Sequence, residues 1–322
     1  MRRIFPLLLI LLLLCGCGGN RDAAAPEDAD RLVIFTARSA AVYDDAVREF
    51  ERRTGIWVEV HTADAALPLL EQIAAGQRCD LLLGVTPDCL SACGELFAPY
   101  APEAAADIPG AYRDSEDRWT PFSLLPVVLI YNDQLVQRNV PDSWSSLTSS
   151  AWRGRIACPD PTVSATGCTA LEAMTQALDG EAEQVLADFC VGDVLPTAED
   201  VVTAVADGRC YVGVTTEDLA MQAAASGLSV TVIYPREGAV VQPDCAAIIA
   251  DCAHEDNARA FIDFLLSGEV QERLTRQYRR TVFTPPGDAS LPHALAYDPY
   301  AAGAHQAETL DIWSSLTAEE TP

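Results

Sequence analysis

The chain has 322 residues, with 47 acidic and 21 basic side chains and a formal net charge of -26. Every basic side chain is Arg. Without Lys there is no Schiff-base or P-loop lysine chemistry, and so acidic a chain repels nucleic-acid phosphates and anionic headgroups. Hydrophobic residues make up 49%, which argues against disorder and provides core for about two domains of ~100–200 residues.

In chain order, Met1-Arg2-Arg3 precedes an apolar run, 4–14, of eleven residues. A bilayer span needs roughly 20, so the run fits a signal-peptide core. It ends in Leu14-Cys15-Gly16-Cys17, which resembles a bacterial lipobox. Residues 1–16 are thus expected to be a lipoprotein signal peptide, Cys17 the lipid anchor and 17–30 a tether. The alternative is an ordinary signal peptide cleaved nearby. Strands at 31–35, 56–61 and 80–83 alternate with helices at 40–54 and 64–75, the pattern of parallel βαβ units. A long apolar strand, 122–131, contains Pro126, which is awkward in a central strand and suggests a crossover. Beyond it come strands at 155–158, 210–214, 230–234 and 245–250. Helices are expected at 168–178, 182–190, 200–207, 219–225, 257–266 and 269–278. After Phe283 the chain reads as irregular, with a helical piece near Ile312 and Trp313.

Of eleven Cys, those beyond Cys17 suggest some disulfides in an oxidising exterior. Cys158–Cys168 and Cys245–Cys252 are the expected short-loop pairs, and small buried cysteines account for the rest. Neither the Cys spacings nor the four His suit a zinc cluster.

Four polar turns follow strands: Thr36 to Ser39, Val85-Thr86-Pro87, Ser164 to Gly167 and Thr215 to Asp218. In open α/β sheets ligands sit beyond the strand carboxyl ends. Helix N-termini there offer free N–H groups and a positive dipole end, and Ser and Thr add neutral donors. Such turns also serve simply as N-caps. The candidate ligand-binding residues are Thr36, Arg38, Ser39, Thr86, Ser164, Thr166, Gly167, Thr216, Glu217 and Asp218. Arg38 is the one cation expected to pair with an anion. GxSxG and HExxH motifs are absent, and His61, His254, His293 and His305 lie in unrelated contexts. No enzyme and no cofactor are therefore expected.

Several segments, in order, resemble the periplasmic-type solute-binding proteins of ABC importers, in their ferric-iron-binding-like branch. They are Val33 to Ser39, Thr54-Gly55-Ile56, Cys79 to Gly84, Trp119 to Phe122, Pro141 to Trp144, Trp152 to Ala157, Pro159-Asp160-Pro161 with Ser164 and Thr166-Gly167, Tyr234-Pro235, and Ala258 to Ser267. The resemblance covers 31–286. It implies an α/β, two-lobed periplasmic-binding-protein fold of type II, with hinge crossover strands and a central ligand cleft. Lobe one is expected at 31–121 and 238–322, lobe two at 122–237, with hinges near 120–122 and 234–237. It also implies a monomer outside the cytoplasm, anchored to the membrane by lipid, that delivers a small molecule to permease subunits. Ferric binders of the family use His and Glu in the first lobe and a Tyr pair in the second. Here Ser39, Val85-Thr86 and Thr215 to Asp218 stand at those places. Ferric iron needs hard anionic oxygens, so the expected ligand is instead a small organic phosphate, phosphonate or carboxylate. Ferric iron or a ferric complex, held by Glu217 and Asp218, is the alternative.

Overall fold

The computed structural model describes residues 28–63, 65–178, 182–189, 191–284, 294–296 and 298–318. The expected signal peptide, Cys17, Cys190 and His293 lie outside these residues, as does nearly all of the tether. Among the described residues no helix is long and apolar enough to cross a membrane.

β1 (Arg31–Thr36) leads through α1 (Ala40–Thr54) to β2 (Trp57–Thr62), and α2 (Ala66–Ala74) leads to β3 (Leu81–Val85). β1 is the middle strand and pairs in parallel with both others. α1 buries Tyr43, Ala46, Val47 and Phe50, one stripe at helical spacing. Gly55 ends it in the left-handed conformation (φ 77°), where its N–H reaches the Glu51 carbonyl. After α3 (Pro87–Ser91) and β4 (Phe97–Ala98) comes the long β5 (Thr120–Tyr131). The second half of the fold holds β6 (Ile156–Pro159), α4 (Ala165–Leu178), α5 (Ala182–Asp188), β7 (Val191–Leu195), α6 (Ala198–Ala206), β8 (Val212–Thr216), α7 (Glu217–Ala225) and β9 (Thr231–Ile233). β10 (Ala239–Ile249) returns to the first half, followed by α8 (Glu255–Leu265), α9 (Gly268–Arg276), β11 (Arg280–Thr281), β12 (Ala294–Leu295) and α10 (Pro299–Ala318).

The strands follow the order β2-β1-β3-β10-β5-β8-β6-β7, with β4, β9, β11 and β12 beside this path. β5 and β10 make it continuous. Up to Pro126, β5 runs antiparallel to β10; from Val127 it pairs with β8 and β9. Proline has no N–H for the ladder, and Pro126 stands where the partner changes. On β10, Val240 packs in the second half's core and Val241 in the first. The passage between halves is thus at 126–127 and 240–241, a few residues beyond the hinges expected at 120–122 and 234–237.

Each half has apolar layers on both faces of its sheet. Leu32, Ile34, Phe50 and Phe261 lie on one side of the first and Phe35, Leu69, Leu82 and Trp119 on the other. Trp144, Met174 and Val214 oppose Val128, Val201 and Val205 in the second. Each such fully buried side chain stabilises the fold by about 1.5–3 kcal/mol.

The structure corrects expectations about individual elements and disulfides. β7 and the first residues of β10 are strands where loop was expected. The tail forms the 20-residue α10. Its Tyr300 ring lies 5.8 Å from Trp119 in the first half, and its Trp313 lies 6.3 Å from Phe189 in the second. Neither expected disulfide is present: Cys158, Cys168, Cys245 and Cys252 are free thiols. Cys158 and Cys245 are fully buried within strands. The Cys168 thiol instead donates to the Pro161 carbonyl at 2.9 Å and accepts from Gln306 Nε2 at 3.3 Å.

Candidate ligand-binding cleft

A cavity of about 300 Å³ lies between the two halves, at the carboxyl ends of β1, β3 and β8. Four helices of nine or more residues that start on Ser or Thr bring their first residues to its wall, as does α2 with Ala65 and Ala66. Ser39 and Ala41 come from α1, and Ser164 to Thr166 from α4. Thr197 to Glu199 come from α6, and Thr216 and Asp218 from α7. Free N–H groups and the positive dipole ends of these helices therefore converge on one space.

The turn after β1 is shaped by Thr36. Its buried hydroxyl accepts the Arg38 N–H at 3.1 Å and does not reach the cavity wall. Ser39 caps α1 by backbone only, so its exposed hydroxyl is not used for capping. Arg38 crosses β3 at Gly84, where a Cβ would lie 2.4 Å from the Arg38 Cγ; Gly84 also has φ 76°. Glycine meets both demands.

Arg38 donates from Nε at 3.2 Å and Nη2 at 2.9 Å to one oxygen of Asp244. Burial opposes the Arg38 charge, but Asp244 outweighs it and holds the guanidinium above its ordinary value. Arg279 donates to the other Asp244 oxygen and, at 3.0–3.2 Å, to Ser123; it lies 3.6 Å from Asp218. Asp218 also accepts the Thr216 hydroxyl at 2.5 Å. Arg38 is thus not the one cation of the cleft. The two guanidiniums face Asp244 and Asp218, whose formal charges cancel theirs, and Glu199 adds a further carboxylate to the wall.

Seven of the ten candidates line the cavity: Arg38, Ser39, Thr86, Ser164, Thr166, Thr216 and Asp218. Gly167 stands behind it, where a Cβ would lie 2.5 Å from the Pro159 carbonyl oxygen and 2.8 Å from Pro161. Glu217 turns away from the cleft. It accepts Arg280 Nε at 2.6 Å and Nη2 at 2.7 Å, together with the Tyr234 hydroxyl. Burial and this carboxylate raise the Tyr234 phenol to about 12. Glu217 and Asp218, offered as a metal-binding pair, therefore do not converge. Among the described residues no group of three or more His, Cys, Asp or Glu is arranged to hold a metal ion.

Sequence reasoning missed Arg279, Asp244, Thr197, Glu199, Gln222 and Gln277. Arg279 falls just past the helix expected at 269–278. A signal for Asp244 existed, since Gln242 and Asp244 alternate within an apolar segment.

A family model described as bacterial extracellular solute-binding protein matches residues 94–300. A probable ABC transporter periplasmic-binding protein, y4fP of Sinorhizobium fredii, is 26% identical over 291 residues, covering 86% of this chain and 79% of that protein. The periplasmic binding protein AfuA from Actinobacillus pleuropneumoniae, solved with exogenous fructose-6-phosphate bound, aligns with a TM-score of 0.80 at 19% identity, covering 88% of this chain and 98% of AfuA. Iron-bound HitA from Pseudomonas aeruginosa aligns with a TM-score of 0.76 at 22% identity, covering 89% and 99%. The fold is that of a type II periplasmic binding protein, two lobes about a cleft, as the resemblance implied. The chain belongs to the bacterial extracellular solute-binding protein family, a family of transport binding proteins.

Proposed function

We propose that this protein captures a small anionic organic ligand, a phosphate, phosphonate or carboxylate, in the interlobe cleft and delivers it to the permease of an ABC importer. The observation that carries the reading is the convergence of four helix N-termini and their Ser and Thr residues on one cavity whose two guanidiniums are already paired with carboxylates. Helix ends and hydroxyls hold an oxyanion without Lys. The volume, about 300 Å³, suits a small organic ion, at the low end of ligand sites. The lobes divide where β5 and β10 pass between halves, and the lipobox-like Leu14 to Cys17 supports a lipid anchor on Cys17 outside the cytoplasm. The protein acts as a monomer and binds its ligand without chemical change.

Calorimetric titration of the full-length chain with inorganic phosphate, fructose 6-phosphate, an alkylphosphonate, a dicarboxylate and ferric citrate tests the ligand class. Saturable binding of at least one oxyanion, with ligand recovered intact, is the expected result. Tight ferric binding with no response to any iron-free anion would overturn it.

A further inference from the structure

Two buried polar side chains beside the cleft lack adequate partners, Thr86 on its wall and Gln242 behind that wall. Gln242 is 1% exposed, and its Nε2 makes no hydrogen bond. Thr86 is also 1% exposed; among the described residues its hydroxyl meets only the weak Cys89 thiol. A buried donor left unmade costs about 1–3 kcal/mol, so such groups are retained where something pairs with them.

Strand register shows where Gln242 faces. Residues opposite one another in an antiparallel pair share a face, as do residues two apart on a strand. Gln242 lies opposite Leu125, which lines the cleft. Two residues on is Asp244, which holds Arg38 and Arg279. Two residues back is Val240, in the core cluster that includes α4 residues Ala170 and Leu171. Gln242 therefore lies between the packed base of α4 and the paired guanidiniums. Thr86 reaches the same place from the end of β3, in the same half. Val85 pairs with Cys245, and β3 runs antiparallel to β10, so the next residue leaves β3 beside Asp244. Thr86 itself lines the cavity.

The geometry points to an acceptor-reading subsite in which Gln242 Nε2 and Thr86 Oγ1 donate to terminal oxygens of a bound phosphoryl or phosphonyl group. Two neutral donors suit it because the guanidiniums are already engaged by Asp244; the ligand's oxygens satisfy groups that the fold alone leaves unpaired. The inference deepens the anion reading above and rests on it.

The test is calorimetric titration of the full-length chain with inorganic phosphate and methylphosphonate, beside Gln242→Leu, Thr86→Val and Gln242→Glu. Gln242→Leu and Thr86→Val are expected to melt no lower than the parent, since each deletes a poorly partnered buried group, and to lose about tenfold or more in affinity. Gln242→Glu, which sets a like charge against the ligand, is expected to lose more. Should Gln242→Leu not fold, Gln242→Met keeps the length and carries the same test. Parental affinity in the Gln242 and Thr86 variants would overturn the subsite alone. A parent chain that binds neither probe would overturn it together with the phosphate and phosphonate reading, leaving the carboxylate arm to be judged by the dicarboxylate titration.

Discussion

Asp244 takes Arg38 on one carboxylate oxygen and Arg279 on the other. Asp244 and Arg279 have almost no solvent contact. Removing a buried ionic partner leaves an uncompensated charge, which costs more than the pair itself contributes. Asp244→Ala strands two guanidiniums and is expected to lower unfolding stability by about 3–5 kcal/mol, read from urea denaturation. A loss below about 1 kcal/mol would mean that water or Asp218 takes over. The candidates legible in sequence were those announced by turn chemistry: Ser39, Thr86, Ser164 and Thr216 follow strands and begin helices. Asp244 and Arg279 were not legible, because their meaning comes from a contact between residues 35 apart. Glu217 and Asp218 are neighbours in sequence, yet the first turn of α7 sends them to opposite partners.

At the level of elements, the parallel units from β1 to β3 were readable from alternation of apolar strand and amphipathic helix. α10 was not. Its apolar residues gather on no single face, because Tyr300 packs against the first half and Trp313 against the second; a stripe appears only when one core is faced. A long-range capping contact was also hidden. Glu237, between β9 and β10, accepts the N–H groups of Trp144 at 3.0 Å and Ser145 at 3.1 Å, across 93 and 92 residues. Burial pushes this carboxyl up, but the N–H groups outweigh it and hold it below its ordinary value. A depressed carboxyl contributes stability that is fully present above its unfolded value, about 4.3, and is lost as pH falls through the folded one. Glu237→Gln is thus expected to be less stable than the parent by about 1 kcal/mol at pH 7. The two should converge as thermal unfolding is followed below pH 4 or so. A difference constant with pH would assign the effect to shape rather than charge.

For the whole molecule, the charge of -26 and the cleft pull in different directions. Far from the surface an anion meets a repulsive field; within a few ångströms it meets helix N-termini and donors. Long-range repulsion is screened over a Debye length of about 10 Å at 0.1 M salt, whereas contacts inside the cleft are screened much less. Salt therefore separates approach from capture. If the ligand is anionic, stopped-flow association of inorganic phosphate should accelerate severalfold between about 10 and 150 mM salt, while dissociation changes little. A cationic ligand requires the reverse, because the same field would steer it in and salt would slow it. A phosphate association rate that falls with salt would mean that the positive helix ends, rather than the acidic surface, govern the approach of the anion.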